Sequence, residues 1–327
     1  MSRTLPVPPG LVGERLDSAL ARMLGLSRAR VETLVEKGGV LVDGKSVVKS
    51  HRLGPDEWIE VGELDTEADA RTDAGPKSDP SIDPSIDPSR HRSASLELPV
   101  LWADADLVVV DKPVGMAAHP SPGWHGPTVT GAVAAAGHAP SGTGAAEREG
   151  VVHRLDVGTT GAMVVAKTPL AYSSLKAQFK ERTVDKEYHA VVHGLLDPLE
   201  GTIDAPIDRH PTKDYKYAVV AAGRPSITHY RTLEAWPRAS LVEVHLETGR
   251  THQIRVHMAA MRHPCVGDST YGADPTLAAS LGLTRQWLHA RQLGFDHPRT
   301  GERIVVTSPY PADLQTALDR LLDGLPS

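Results

Sequence analysis

Between residues 63 and 95 the chain loses the means to pack. This stretch carries eight acidic and four basic residues and the repeat Asp79-Pro80-Ser81-Ile82-Asp83-Pro84-Ser85-Ile86-Asp87-Pro88-Ser89. Proline removes backbone donors, and Asp and Ser bring almost no apolar surface, so burial would not offset the entropy of ordering. A 327-residue chain interrupted in this way is expected to fold as two parts, 13–62 and 96–327, joined by a disordered acidic linker over 63–95. A docking motif is the alternative reading of the repeat; a plain tether requires less.

The linker also hides the charge balance. The whole chain has a formal net charge of −6, of which the linker supplies −4, whereas residues 14–52 hold eight Lys/Arg against five Asp/Glu. A basic lobe therefore sits beside an acidic tether. The single cysteine, Cys265, excludes an intrachain disulfide and a cysteine-rich zinc site. Neither a signal peptide at Met1–Gly10 nor a run of membrane-spanning length is apparent, so a soluble, cytoplasmic protein is expected.

The first part reads as helix, helix, hairpin, strand. Leu16, Ala19, Leu20, Met23 and Leu24 have helical spacing within 14–24. Ser27 can cap a second helix over Arg28–Glu36, stopped by Gly38-Gly39. Val40–Val42 is expected to pair with Val47-Val48 across the turn Asp43-Gly44, and Trp58–Val61 reads as a further strand.

In the second part, strand-like runs recur at 107–110, 163–166, 188–192, 241–246 and 304–306, with helices at 169–181, 251–262 and 311–323. Short strands outnumber helices, which predicts a mixed α+β fold with a largely antiparallel sheet and flanking helices. Residues 137–149, rich in Gly, Ala and Ser, read as a surface loop.

Four segments carry residues suited to chemistry. Val151-Val152-His153-Arg154-Leu155-Asp156 followed by Val157-Gly158-Thr159-Thr160-Gly161 reads as strand, loop, strand, with a carboxylate and a guanidinium at the strand end. Alone, Asp156 reads as a turn-capping residue. Leu107–Met116 runs a strand into Asp111-Lys112-Pro113. In Lys186-Glu187-Tyr188-His189-Ala190-Val191-Val192, alternation puts Lys186, Tyr188, Ala190 and Val192 on one face; a tyrosine there stacks on a base or fills the core. In Thr248-Gly249-Arg250-Thr251-His252-Gln253-Ile254-Arg255-Val256-His257, Thr251 can cap a helix that shows His252 and Arg255 on one face.

Together and in this order the segments resemble the RluA/RluD-type RNA pseudouridine synthases. The family's His-Arg-Leu-Asp loop corresponds to His153–Asp156, its Asp-Lys-Pro-x-Gly to Asp111–Gly115, and its Lys-x-Tyr-x-Ala to Lys186–Ala190. Its Thr-Gly-Arg-Thr-His-Gln-Ile-Arg-x-His corresponds to Thr248–His257. Further matches are His263–Asp268, Tyr271-Gly272, Leu288–Ala290 and His297–Gly301, so the likeness spans nearly all of 98–310. Residues 13–62 resemble the S4 RNA-binding module, with Arg28, Arg30 and Lys37 as its RNA contacts. Where many members carry a basic and an acidic residue after the Asp, this chain has Val157-Gly158, and Thr160 stands where Ser is common. These departures are expected to affect contacts to RNA rather than the reactive group.

The resemblance implies isomerisation of uridine to pseudouridine: the N1–C1′ bond breaks, the uracil turns, and C5 joins C1′. It implies no cofactor and no metal. Asp156 would be the catalytic carboxylate, attacking C1′ or removing a sugar proton. Arg255 would pair with it, Tyr188 would stack on the uracil and assist loss of the C5 proton, and Arg154 would hold the flipped-out nucleotide. Lys112 and His252 are further RNA-binding candidates. Extruding a stacked uridine costs roughly a few kcal/mol, offset by salt-sensitive phosphate contacts.

The expected partner is RNA, foremost 23S ribosomal RNA or the assembling large subunit, met by a monomer without a membrane. Transfer RNA is the alternative substrate. A non-catalytic assembly factor would be favoured by a missing loop Asp, which is present. A glycosidic hydrolase would need a second dedicated acid near Asp156, and no motif supplies one.

Overall fold

The computed structural model describes residues 3–7, 11–24, 28–36, 38–55, 57–61, 98–121, 124–138 and 150–324. The linker, Lys37 and most of the 137–149 loop lie outside these residues. The described chain divides into two compact units, one within residues 1–74 and one within 75–327.

In the first unit, β1 (Arg3–Pro6), α1 (Leu16–Leu24), α2 (Arg28–Glu36), β2 (Val40–Val42), β3 (Lys45–Ser46) and β4 (Trp58–Val61) follow one another. The antiparallel sheet has the order β1-β4-β2-β3. Leu16, Ala19 and Leu20, the apolar stripe of α1, are fully buried against Val31, Val40, Ile59 and Val61. The hairpin differs from the sequence expectation. Asp43 and Gly44 both have positive φ (49° and 72°), as a two-residue turn of the primed type requires, and such a turn pairs the residues immediately beside it. Val42 therefore faces Lys45 and Leu41 faces Ser46, and Val47-Val48 fall beyond the ladder. Arg28 and Arg30 begin α2, but their side chains lie outside the described parts.

The second unit is built on a nine-stranded sheet. Its elements are β5 (Val100–Ala103), β6 (Leu107–Lys112), α3 (Val129–Ala135), β7 (Thr160–Ala166), α4 (Pro169–Glu181), β8 (Asp185–His193) and β9 (Glu200–Asp204). The hairpin β10 (Ile207–His210) and β11 (Lys213–Val219) forms a separate ribbon. Then come β12 (Ile227–Trp236), β13 (Ala239–Leu246), α5 (Gln253–Ala260), α6 (Pro275–Leu281), β14 (Leu288–Asp296), β15 (Arg303–Thr307) and α7 (Ala312–Leu322). The order is β5-β6-β7-β14-β8-β13-β12-β9, with β15 also on β14, and the β7–β14 pairing is the parallel one. This is the mixed, largely antiparallel α+β fold expected.

The sheet is buried on both faces, which is why its central strands read as continuous apolar runs. Val108, Val110, Met163 and Val165 point to one side with Tyr188, Ala190 and Val192, covered by α3 and α5. Leu107, Val109, Val164 and Ala166 point to the other, covered by Ala171 and Leu175 of α4. Thr168 caps α4 by accepting from Ala171 N, and Pro169 occupies its first turn. Helices α6 and α7 close a third cluster around Trp287. Among the described residues no helix is long and apolar enough to cross a membrane.

One row crosses the sheet centre: Gly161, Ala290, Tyr188, Val244. Gly161 has φ +120°, and a Cβ there would stand 2.2 Å from Ala290 O. Only glycine admits so close a parallel approach.

Candidate active site

Residues 150–159 lead into β7 as an irregular loop, not as the strand expected for Val151-Val152; Val151 makes a single bridge to Val165. Arg154, Leu155 and Asp156 line the pocket, whereas His153 does not. His153 stacks on Phe179 with ring centroids 4.6 Å apart, and its Nε2 accepts from Val164 N at 3.0 Å. An accepting Nε2 requires a neutral ring with its proton on Nδ1, and burial, with the nearby Lys186 charge, lowers the His153 pKa to about 3. Leu155 is buried in the central core.

The far side of the loop is tied down carbonyl by carbonyl. Val157 O accepts from Gly115 N at 2.9 Å and from Lys112 Nζ at 3.4 Å. Gly158 O accepts from Arg285 Nη1 at 2.9 Å. Arg285 is itself gripped by Asp313 through Nε (2.7 Å) and Nη2 (3.0 Å). Thr160 Oγ1 meets His289 Nδ1 at 2.9 Å. Val157 is fully buried with Ala117 and Trp124. The positions where the sequence departs from the family pattern are therefore interior ones, and the expectation that they face RNA is corrected.

Lys112 is also corrected. Its side chain is fully buried, with Nζ donating to Pro113 O (3.0 Å), Met116 O (2.8 Å) and Val157 O (3.4 Å). Burial and the Arg285 charge lower its pKa to about 7, opposed by Asp156 and Asp111. It pins two loops and does not reach a surface where RNA could lie.

The opposite wall comes from the turn between β13 and α5. Gln253 holds it with all of its amide: Oε1 accepts from Thr248 Oγ1 (2.8 Å) and Arg250 N (2.9 Å), and Nε2 donates to Ile227 O (2.9 Å) and Thr228 Oγ1 (3.0 Å). The helix starts at Gln253, so His252 precedes it in a left-handed conformation (φ 56°), without a side-chain cap from Thr251. His252 is buried in the fold and lines the pocket rather than an outer surface. Tyr271 Oη accepts from Tyr217 N at 3.1 Å and meets His252 Nδ1 at 2.8 Å. We assign the phenolic proton to that second bond, which puts the imidazole proton on Nε2, 3.8 Å from Asp156 Oδ2.

Arg255 donates to Asp268 through Nε (2.6 Å) and Nη2 (2.9 Å), both side chains being buried, and Nη1 stands 3.8 Å from Asp156 Oδ2. The Tyr271 ring lies under the guanidinium, 5.0 Å from its carbon. Asp156 thus faces a cation already oriented by a second carboxylate. The Asp156 side chain is 14% exposed, at the mouth of a pocket lined also by Tyr188, Leu246 and Leu288. Burial, and next the Asp156 charge, raise the Tyr188 pKa, so the phenol stays protonated at neutral pH.

Arg154, Asp156, Tyr188, His252 and Arg255 are therefore gathered around one pocket; Lys112 sits behind it. Asp268, Tyr271, Gln253 and Arg285 were given no role from sequence. The first three lie in segments matched to the family, His263–Asp268, Tyr271-Gly272 and Thr248–His257, which was the available signal. Arg285 lies in no motif.

A family model described as RNA pseudouridylate synthase matches residues 106–260, and an S4 domain model matches residues 14–59. An uncharacterized RNA pseudouridine synthase of Mycobacterium bovis is 53% identical over 323 residues, covering 98% of both chains. The ribosomal large subunit pseudouridine synthase D of Nitrosomonas europaea is 40% identical, covering 97% of this chain and 87% of its own length. Among solved structures, human RNA pseudouridylate synthase domain containing 1 superposes with a TM-score of 0.56 at 28% identity, covering 71% of this chain and 96% of its own. With this similarity over nearly its whole length, the chain belongs to the RNA pseudouridylate synthase family, as an isomerase acting on RNA with an S4 domain ahead of the synthase domain.

Proposed function

We propose that the enzyme converts uridines of 23S ribosomal RNA to pseudouridine, with Asp156 as the catalytic carboxylate. The observation that carries this reading is the position of Asp156: at the pocket mouth, 3.8 Å from both Arg255 and His252. Two facing donors favour the ionised form that nucleophilic attack at C1′ or proton removal from the sugar needs.

The flipped uridine enters between Asp156 and Tyr188. A protonated phenol supplies a stacking face and a hydrogen bond rather than a ready base, so Tyr188 positions the uracil while it turns. Arg154 holds the nucleotide at the rim. Arg255, its charge anchored by Asp268, keeps Asp156 oriented without forming a tight bond that would consume the carboxylate. Residues 13–62 act as the RNA-binding module, with Arg28, Arg30 and Lys37 as contacts, 63–95 as tether and 96–327 as the catalytic domain. The protein works as a cytoplasmic monomer without a cofactor or metal.

The large-subunit substrate is supported by relatives named for it, such as the one from Nitrosomonas europaea. Pseudouridine mapping of ribosomal and transfer RNA from a strain lacking the gene tests it. Loss of specific 23S sites, restored by the wild-type gene and not by Asp156→Ala, is expected. Loss confined to transfer RNA would overturn the substrate, and free uracil as the main product of the purified enzyme would overturn the reaction.

A further inference from the structure

The Asp156 pocket adjoins a larger hollow, with which it shares Arg154, Tyr188, Leu246, Gly249 and Arg250. The hollow runs between the 151–154 loop, the C-terminal end of α4, the start of β8 and the 246–250 turn. Five cations line it, Arg154, Lys180, Arg182, Lys186 and Arg250, against one carboxylate, Glu247.

The backbone builds this imbalance. Helix α4 ends where Arg182 takes the left-handed conformation (φ 63°, ψ 31°), and the chain turns back into β8 with Arg182 and Lys186 on the same hollow. Lys186 is half-buried, and no hydrogen bond or ion pair holds its ammonium among the described residues. Burial and the Arg182 charge both oppose its protonation. Among the described residues Arg182 pairs with Glu247, at 3.6 Å, and that carboxylate also takes His229 Nε2 at 2.8 Å. Half-burying a lysine beside another cation is unfavourable without an anion.

An RNA strand supplies that anion. Lys186 lies two residues before Tyr188 on one face of β8, about 7 Å along the strand, the scale of one nucleotide step. We infer that the hollow is a phosphate-binding groove for the strand on one side of the target uridine, engaged by Lys180, Arg182 and Lys186, with Glu247 occupying Arg182 until RNA displaces it. This rests on the stacking of uracil at Tyr188 described under the proposed function.

Filter binding of a 23S ribosomal RNA transcript to the full chain over a KCl series tests it. In Lys180→Gln/Arg182→Gln/Lys186→Gln, the slope of log Kobs against log salt should flatten by about 2, at roughly 0.7 for each single-strand phosphate contact. Lys176→Gln, which removes a charge from α4 outside the groove, should keep the wild-type slope. Lys186→Arg should keep it too, and Glu247→Gln should tighten binding. If the triple variant melts below the wild type, Lys180→Gln and Arg182→Gln, both exposed, should each flatten the slope by about 0.7. A wild-type slope in these variants, or weaker binding by Glu247→Gln, overturns the groove. Whether the wild type forms pseudouridine in the same RNA is a separate readout, so failure of the activity is distinguishable from failure of the groove.

Discussion

Two buried arginines flank the Asp156 loop and make the same ion pair to different ends. In front, Arg255 grips Asp268 through Nε and Nη2 at 2.6 and 2.9 Å; behind, Arg285 grips Asp313 through the same atoms at 2.7 and 3.0 Å. The remaining nitrogen separates them. Arg255 Nη1 faces the Asp156 carboxylate at 3.8 Å, whereas Arg285 Nη1 donates to the Gly158 backbone at 2.9 Å. The aspartates differ too: Asp268 is fully buried and Asp313 is 39% exposed. One pair therefore sets charge at the pocket and the other sets the path of the loop.

The largest effect should come from the front pair. Asp268→Ala leaves a guanidinium buried without its carboxylate and should cost about 3–5 kcal/mol, read from the denaturant midpoint, with loss of pseudouridine formation. A cost under about 1 kcal/mol would mean that Asp156 alone holds Arg255. Gly161→Ala attacks the strand that carries the loop out of both grips. Its Cβ would meet Ala290 O at 2.2 Å, and a loss of at least about 2 kcal/mol is expected; full stability would mean that the β7–β14 approach relaxes easily. Asp313→Ala should cost less, about 1–3 kcal/mol, because water reaches its partner site. It should slow catalysis by displacing the loop, and Asp313→Glu should recover part of the rate.

A separate test uses pH. His153 titrates at about 3 in the folded chain, below its ordinary value of 6.5. As pH falls below 6.5 the unfolded chain takes up this proton first, so the stability tied to a neutral His153 is complete above 6.5 and drains away toward pH 3. His153→Gln, which can still accept from Val164 N, should flatten the melting temperature between pH 6.5 and 4 relative to wild type. An unchanged pH dependence would remove His153 from the loop's support.

Much of this was legible in the sequence where the information is local. The doubly buried strands β6 and β7 announce themselves as apolar runs, and α4 by its Thr168 cap and Pro169. The ordered motifs located Asp156, Tyr188 and Arg255 around what proved to be one pocket. Non-local pairing was less visible. Strand β14 was glimpsed only as Leu288-His289-Ala290, because its parallel partner β7 lies far away in sequence. Strand β12, with Thr228, His229, Tyr230 and Arg231, lacks the apolar alternation of a core strand. Arg285 finds Asp313 twenty-eight residues later, which no motif records. Lys112 was misread despite a usable signal: it shares a strand face with Val108 and Val110, which point into the core.

The central claim is that the Asp156 carboxylate performs the bond chemistry while the walls around it bind and orient the RNA. Single-turnover reaction of purified Asp156→Asn with a 23S ribosomal RNA transcript, with binding measured on the same samples, tests this most directly. No pseudouridine at wild-type RNA affinity is predicted; pseudouridine formed at a rate near that of the wild type would contradict it.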